Sequence, residues 1–248
     1  MIIINVPFEN SNDALGCRKA GKNIIKLFPK IYTGEYGYEV IKNEIIFENI
    51  NLIGKNLTDS YNAIHKKAKE IIDKNEKSIF LGGDHSITYP IAQSFLDLCI
   101  ENKKSPFLIV FDAHPNCNES IENIPKNNGW LKALVENGFP AKNIILIGIR
   151  SSTKLENSFL SEKSIKIYNM KDLSEFEEIC DIIMELARNH NIYLSIDIDV
   201  VDASFVPGTF KPESGGLTSR QLIYFIQRLN MLKNLKIINI TEINPDKD

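Results

Sequence analysis

Cysteine is scarce in this sequence, and its few copies lack the spacing of a metal or redox motif. The four cysteines are scattered, and no two form a CxxC pair: Cys17, Cys99, Cys117 and Cys180. Zinc ribbons and small disulfide-stapled domains depend on closely spaced cysteines. Both classes are therefore excluded, and the pattern favours reduced thiols in a cytoplasmic protein.

Long apolar runs and basic stretches are also missing. No run approaches the roughly 18 apolar residues that a membrane helix requires, and the opening MIIINVPFEN lacks the basic start of a signal peptide. Acidic residues number 32 and basic residues 29, for a net charge of -3, and no basic face stands out. We therefore expect neither a membrane nor a nucleic acid as a partner.

The chain shows no internal repeat, no low-complexity segment and no linker. Its 248 residues are 43% hydrophobic and 25% charged, as in ordinary globular proteins. A chain of this size can bury a substantial core within one domain. We predict a single domain over residues 1–248.

Short apolar runs alternate with amphipathic stretches along the chain. Most of the runs lack an apolar–polar alternation, as in strands that are buried on both faces. The predicted strands are Met1–Val6, Ile45–Glu48, Ser78–Gly82, Phe107–Asp112, Asn143–Ile149, Ile165–Asn169, Ile192–Asp197 and Leu235–Thr241. The predicted helices are Leu57–Asn75, Ile87–Asn102, Leu173–His190 and Ser219–Leu229. This alternation predicts an α/β fold, with one parallel sheet of about eight strands between helices.

Acidic and histidine side chains cluster where four of these strands end. Parallel sheets bind ligands beyond the carboxyl ends of their strands. Asp112 and His114 are two residues apart, as are Asp197 and Asp199, so each pair points to one side of an extended chain. With His85 they offer three carboxylates and two imidazoles and no thiolate, a donor set that suits Mn²⁺. Asp112 and Asp197 would bridge two ions about 3.5–4 Å apart, which activate water.

Ordinary capping of strand ends is the alternative interpretation. A single aspartate or histidine at such a place is more often a cap or a turn residue than a ligand. Five such residues at matching strand ends are harder to explain by capping, because three neighbouring carboxylates repel one another unless cations or protons neutralise them. The whole set therefore favours a metal site.

Several motifs resemble the arginase/agmatinase (ureohydrolase) family, in the same order along nearly the whole chain. They are Gly-Gly-Asp-His-Ser at 82–86, Asp-Ala-His at 112–114, Ser-Ile-Asp-Ile-Asp-Val-Val-Asp at 195–202, the loops at 207–209 and 215–218, and Glu-Ile-Asn-Pro at 242–245. The resemblance implies an arginase-like three-layer fold and homotrimers or homohexamers. It also implies two Mn²⁺ ions per chain, one bound by His85 and Asp112, the other by His114 and Asp199, with Asp112 and Asp197 bridging. Glu242 would bind the guanidinium of the substrate.

Two departures from the family pattern weaken this assignment. Asn116 stands where the family has an aspartate ligand, so the ion next to His85 should bind less tightly. Asn128 stands where the family has a histidine that is thought to shuttle a proton, and an amide cannot exchange protons near neutral pH. General acid–base catalysis by such a group typically raises the rate roughly 10²–10⁴-fold, and this contribution would be lost.

Two further features lie after the last ligand pair. Lys211 stands in a loop where the family has a small residue, and we interpret it as a solvated cation without a role. If it pointed inward, it would repel a cationic substrate or bind an anionic one. The chain ends at Asp248, soon after Glu242, where members of the family continue with another helix, so we expect either a shortened protein or a trimmed sequence.

The substrate is less defined than the reaction. Asn118 resembles the arginase position that contacts the substrate's α-carboxylate, although a turn residue is the simpler interpretation. The stretch around Arg150 lacks the acidic residue that arginases use for the α-amine. We therefore expect an agmatinase-like enzyme that converts agmatine to putrescine and urea. An arginase or another amidinohydrolase is the alternative, and a degenerate binding or regulatory member is the alternative of another class.

Overall fold

The computed structural model describes residues 1–10, 15–35, 37, 39–40, 44–75, 77–119 and 124–247. Within them, eight strands form one sheet: β1 (Ile2–Asn5), β2 (Ile46–Asn49), β3 (Ser78–Leu81), β4 (Pro106–Phe111), β5 (Ile144–Ile149), β6 (Lys166–Asn169), β7 (Asn191–Asp197) and β8 (Leu235–Thr241). The α-helices are α1 (Ala20–Leu27), α2 (Leu57–Lys74), α3 (Thr88–Glu101), α4 (Trp130–Glu136), α5 (Lys154–Glu162), α6 (Phe176–Ala187) and α7 (Ser219–Asn230). All eight predicted strands and the four predicted helices are confirmed, with ends within three residues.

The order of the strands sets the position of the site. The sheet runs β2-β1-β3-β8-β7-β4-β5-β6, and every neighbouring pair is parallel. β7 and β8 are last in the sequence, yet they lie between β3 and β4. The four strands that end in the predicted ligands are therefore the four central neighbours, and their carboxyl ends meet at one edge.

Two apolar layers cover the two faces of the sheet. Leu108 and Val110 of β4 belong to the cluster that includes α2, α3 and α4, whereas Ile109 and Phe111 belong to the cluster with α6 and α7. Successive strand residues point to opposite faces, so a continuous apolar run supplies both clusters. The structure confirms the three-layer α/β fold. The edge strand β2 differs, since Ile46 is 57% exposed.

Three short helices were absent from the sequence-based prediction. α1, α4 and α5 have seven to nine residues each, too few for a clear apolar period. For α5 a local signal exists, because Thr153 and Glu156 form a capping box at its start. None of the described helices is long and apolar enough to cross a membrane.

Phe225 on α7 provides a test of the second apolar layer. Its ring is fully buried and lies 5.1 Å from that of Phe111, centroid to centroid. Phe225→Ala should lower the free energy of unfolding by about 3–5 kcal/mol, because it removes a large buried ring. Leu155→Ala, at a side chain 81% exposed on α5, should change it by less than about 0.5 kcal/mol. Urea denaturation measures both, and equal losses would show that this layer does not hold the fold.

Candidate metal centre

A glycine turn carries the chain from β3 into the site. Gly82 and Gly83 have φ values of +97° and +78°, a region that favours glycine. A Cβ on Gly83 would lie 2.4 Å from the backbone oxygen of Phe8, so a side chain does not fit there. The chain then turns at Asp84, which caps the short 3-10 helix that begins at His85. His85 is thereby placed beneath the cavity, with 1% of its surface exposed.

The first group of ligand atoms surrounds His85. Its Nδ1 lies 3.0 Å from Asp112 Oδ2 and 2.9 Å from Asp197 Oδ2. All three side chains are buried, and the ligand atoms lie within 4.8 Å of one another. This spacing suits a single cation between them.

A second group adjoins the first and shares one of its residues. His114 Nδ1 lies 2.9 Å from Asp199 Oδ2 and 3.6 Å from Asp112 Oδ1. Asp112 therefore turns one oxygen to each group, as a bridging carboxylate does. Asp197 turns Oδ2 to the first group, while its Oδ1 accepts a hydrogen bond from the Asp199 backbone N–H at 3.0 Å. Bridging by Asp197 stays a prediction.

The buried carboxylates of the two ligand groups require positive charge close by. Burial and the neighbouring carboxylates raise the pKa of Asp197 and of Asp199. Burial also acts to raise the pKa of Asp112, but hydrogen bonds with the two imidazoles bring it to about 2. Burial would lower the pKa of the histidines, but their carboxylate partners raise it to about 10 for His85 and about 11 for His114. The carboxylates thus draw positive charge to this place, and divalent cations satisfy the same requirement.

The second nitrogen of each histidine has its own partner. His85 Nε2 lies 3.0 Å from Ser195 Oγ, and His114 Nε2 lies 3.1 Å from Glu213 Oε1. Such partners orient metal-binding imidazoles and select the tautomer. Nδ1 of both rings is thereby left for the ligand groups. Oxygen and imidazole donors in two adjoining groups fit two divalent cations, and Cys117 lies apart, with Sγ 3.9 Å from the backbone oxygen of Glu156.

Arg150 supports the site from below and was not predicted from the sequence. Its guanidinium donates hydrogen bonds of 2.7–3.3 Å to the backbone oxygens of Gly148, Asp199, Val200, Glu213 and Ser214. These bonds tie the segment after β7 to the loop that carries Glu213. The sequence feature that could have identified Arg150 is its position directly after β5, at the edge of the sheet where the ligands lie.

Glu242 follows β8 in a backbone conformation that is rare for a residue with a side chain, with a φ of +62°. Its Oε1 accepts hydrogen bonds from the His85 backbone N–H at 2.8 Å and from Asn127 Nδ2 at 3.3 Å. Cys17 Sγ lies 3.6 Å from Oε2. Burial and the nearby Asp84 raise the pKa of Glu242 to about 8, so a cation in the cavity would favour its ionised form.

Asn116 lies at the first ligand group, where the sequence placed it. Its φ is +53°, which asparagine tolerates better than most residues. Its Nδ2 donates to Asp112 Oδ2 at 2.6 Å and lies 3.2 Å from His85 Nδ1. A half-turn of the amide would present Oδ1 to a cation instead.

A cavity of about 720 Å³ opens above these groups. Asn118 and Asn128 both line it, and substrate binding by either residue stays a prediction. Asn127, however, is the asparagine that contacts Glu242, and sequence reasoning missed it because no spacing rule distinguishes two adjacent loop amides.

Lys211 is solvated, as the sequence predicts, with 54% of its side chain exposed. It also lines the cavity, and its Nζ lies 2.7 Å from His114 Nε2, which are contacts that the favoured sequence interpretation did not include. It also lies 3.4 Å from Glu213 Oε1. Backbone hydrogen bonds tie this loop to the segment after β8, with Phe210 N–H donating to the Glu242 oxygen and Asn244 N–H to the Gly208 oxygen.

Comparison with known proteins places this geometry in a family. The arginase family matches the chain over residues 1–248. Among curated relatives, the N(1)-aminopropylagmatine ureohydrolase of Thermococcus kodakarensis is 29% identical over 99% of this chain and 83% of its own length. The agmatinase of Pyrococcus horikoshii is 27% identical over 99% of this chain and 84% of its own length.

Solved structures show the same fold. The crystal structure of a putative agmatinase from Clostridium difficile superimposes with a TM-score of 0.86 at 24% sequence identity, covering 100% of this chain and 88% of that one.

Asp197→Asn tests the cation site, because its effect on the free energy of unfolding should depend on whether Mn²⁺ is present. The amide keeps the size of the side chain but removes one of three mutually repelling charges. In EDTA the variant should therefore be at least as stable as the parent. In Mn²⁺ at about 100 times the parent's dissociation constant, the parent should gain about 2.7 kcal/mol for each site that is filled, and the variant should gain little.

Calorimetric melting and elemental analysis measure these two effects. Cys117→Ser is the matched control and should retain the parent's metal content, because the thiol lies outside both ligand groups. An equal gain from Mn²⁺ in the parent and in Asp197→Asn would contradict the assignment.

Proposed function

The chain belongs to the arginase family, and on that premise we propose that it hydrolyses a carbon–nitrogen bond of a guanidino compound and releases urea. The named relatives are hydrolases of amidino compounds, agmatinase and arginase among them. The observation that carries the proposal is the pair of ligand groups that share Asp112 beside the buried carboxylate of Glu242.

Mn²⁺ is the metal that we propose, with two ions per chain. The donors are carboxylate oxygens and imidazole nitrogens without a thiolate, a set that hard divalent cations prefer. The group of His85, Asp112 and Asp197 should be the weaker one, because Asn116 brings an amide there instead of a fourth charged ligand.

The side chains of the site have distinct tasks in this proposal. His85, Asp112, His114, Asp197 and Asp199 would hold the metal ions, which would supply an activated water and polarise the group under attack. Glu242 accepts hydrogen bonds from the guanidinium, whose planar fork matches a carboxylate. The backbone N–H of His85 and the Asn127 amide fix the carboxylate in place. Asn128 lines the cavity but cannot deliver a proton to the leaving amine.

Several finer expectations remain predictions. Agmatine is the substrate that the sequence alone predicts, and an agmatinase is among the relatives. A homotrimer or homohexamer, a single domain over 1–248 and a cytoplasmic location also stay predictions. The four cysteines are free and buried, as expected in a reducing compartment.

A binding or regulatory protein is the second candidate. The observation that favours it is the presence of neutral amides at three places where the chemistry would gain from a charged or titratable group, namely Asn116, Asn127 and Asn128. Such a protein would retain the ion site and lack turnover.

Restoring the missing groups discriminates between the candidates. Asn116→Asp adds a charged ligand and should tighten the weaker Mn²⁺ site roughly 10–100-fold. Asn128→His places a titratable group in the cavity that Glu242 lines, and in a parallel variant Asn127→His places one beside Glu242 itself. Each histidine combined with Asn116→Asp should release urea faster than the parent at equal metal loading, with a gain of up to about 10²–10⁴-fold.

The matched control is Asn128→Gln, which keeps an amide and should give no gain. The gain from histidine should fade as the pH falls through the imidazole pKa of about 6.5, because a ring that is already protonated cannot take up the proton that it would pass on to the leaving amine. Variants that bind two Mn²⁺ per chain and hydrolyse no guanidino compound would support the binding-protein candidate instead.

A further inference from the structure

The charges that line the cavity are unevenly arranged. Asp197, Asp199 and Glu242 lie at the closed end, where the metal and guanidinium chemistry takes place. The other described acidic lining residue, Glu156, is 4% exposed, and its oxygens accept hydrogen bonds from Thr153 and the Cys117 backbone. The Glu156 carboxylate is therefore occupied by hydrogen bonds within the protein.

Among the described residues, cations and neutral donors make up the remainder of the polar lining. Lys126 and Lys211 contribute ammonium groups, and Ser151, Ser152 and Asn118 contribute hydroxyl and amide donors. Glu213, the ion-pair partner of Lys211, does not line the cavity. A molecule in the cavity thus meets the ammonium group of Lys211 and not the carboxylate behind it.

The metal restricts what Lys211 can bind. When Nδ1 of His114 holds a cation, the remaining proton of the neutral ring is on Nε2, which donates it to Glu213. The ammonium group of Lys211 has no lone pair, so it cannot accept a hydrogen bond from His114 Nε2. It can no longer donate one to that nitrogen either, because the nitrogen now carries a hydrogen. Lys211 then retains Glu213 on one side and has donors left for a molecule in the cavity.

We propose that Lys211 and Lys126 bind a carboxylate at the far end of the substrate, so that the preferred substrate is a guanidino acid and not a guanidino amine. This inference rests on the proposed function. A substrate that places its guanidinium at Glu242 extends toward the mouth, where a terminal amine would meet two like charges. A terminal carboxylate would instead find ammonium, hydroxyl and amide donors.

Three guanidines that differ only at the far end test the proposal. Agmatine ends in an ammonium group, 5-guanidinopentanoate has a carboxylate at the same distance, and pentylguanidine ends in a methyl group. With Mn²⁺-loaded protein we expect kcat/KM to be at least about tenfold higher for the acid than for agmatine, with pentylguanidine between them. Calorimetric titration with the same three compounds should give the same order of affinity, whether or not turnover is fast.

Variants locate the effect on the two lysines. Lys211→Gln and Lys126→Gln should each lower the ratio of acid to pentylguanidine by about threefold to tenfold, since partly exposed ion pairs have modest strength. Lys126→Glu, which does not touch His114, should shift the preference toward agmatine. Lys104→Gln makes the same charge change in a separate cavity, before β4, and should leave all three compounds unaffected.

The outcomes separate this inference from the proposed function. Equal or better use of agmatine, or an acid preference that survives both lysine variants, would overturn the carboxylate site while the hydrolase stands. Lysine-dependent binding of the acid without urea release would support the carboxylate site and refute the hydrolase. Failure of all three compounds to bind would overturn both.

Discussion

Three buried carboxylates packed together are the constraint on which the rest of this structure depends. Asp112, Asp197 and Asp199 have at most 3% of their surface exposed, and nothing in bulk solvent screens their repulsion. Two imidazoles lie against them, and each is held by a partner on its outer nitrogen. An arrangement of this kind is stable only when positive charge occupies its centre, which is why the pKa values of the histidines rise so far. For the same reason, we expect the site to bind divalent cations tightly.

The rest of the fold serves to hold this charge in place. The central position of β3, β8, β7 and β4 brings four strand ends together. The glycine turn before His85 and the Arg150 bonds to five backbone oxygens fix the loops that follow. Glu242 retains a left-handed backbone conformation because hydrogen bonds hold both its carboxylate and its backbone. Strain and buried charge are thus concentrated where ligands would bind, and the two apolar layers of the sheet supply the stability.

Much of the site was predictable because its signals are local. The apolar runs predict the strands, and the spacing of Asp112 with His114 and of Asp197 with Asp199 predicts that each pair shares one side. The order of the strands was not predictable in this way, since β7 enters the sheet next to β4 only through long-range packing. Arg150 was missed, and the choice between the two interpretations of Lys211 stayed open, for a related reason. An arginine or lysine in a loop looks solvated until the fold shows which carbonyl oxygens or which cavity it reaches.

The central claim is that the two ligand groups hold two cations, and anomalous diffraction from crystals grown with Mn²⁺ tests it most directly. Two peaks about 3.5–4 Å apart should lie on either side of Asp112. One should be bounded by His85 and Asp197, and the other by His114 and Asp199. The peak beside Asn116 should be the weaker one at limiting Mn²⁺ and should reach full occupancy at saturation. A map without a peak between these side chains at saturating Mn²⁺ would contradict the account.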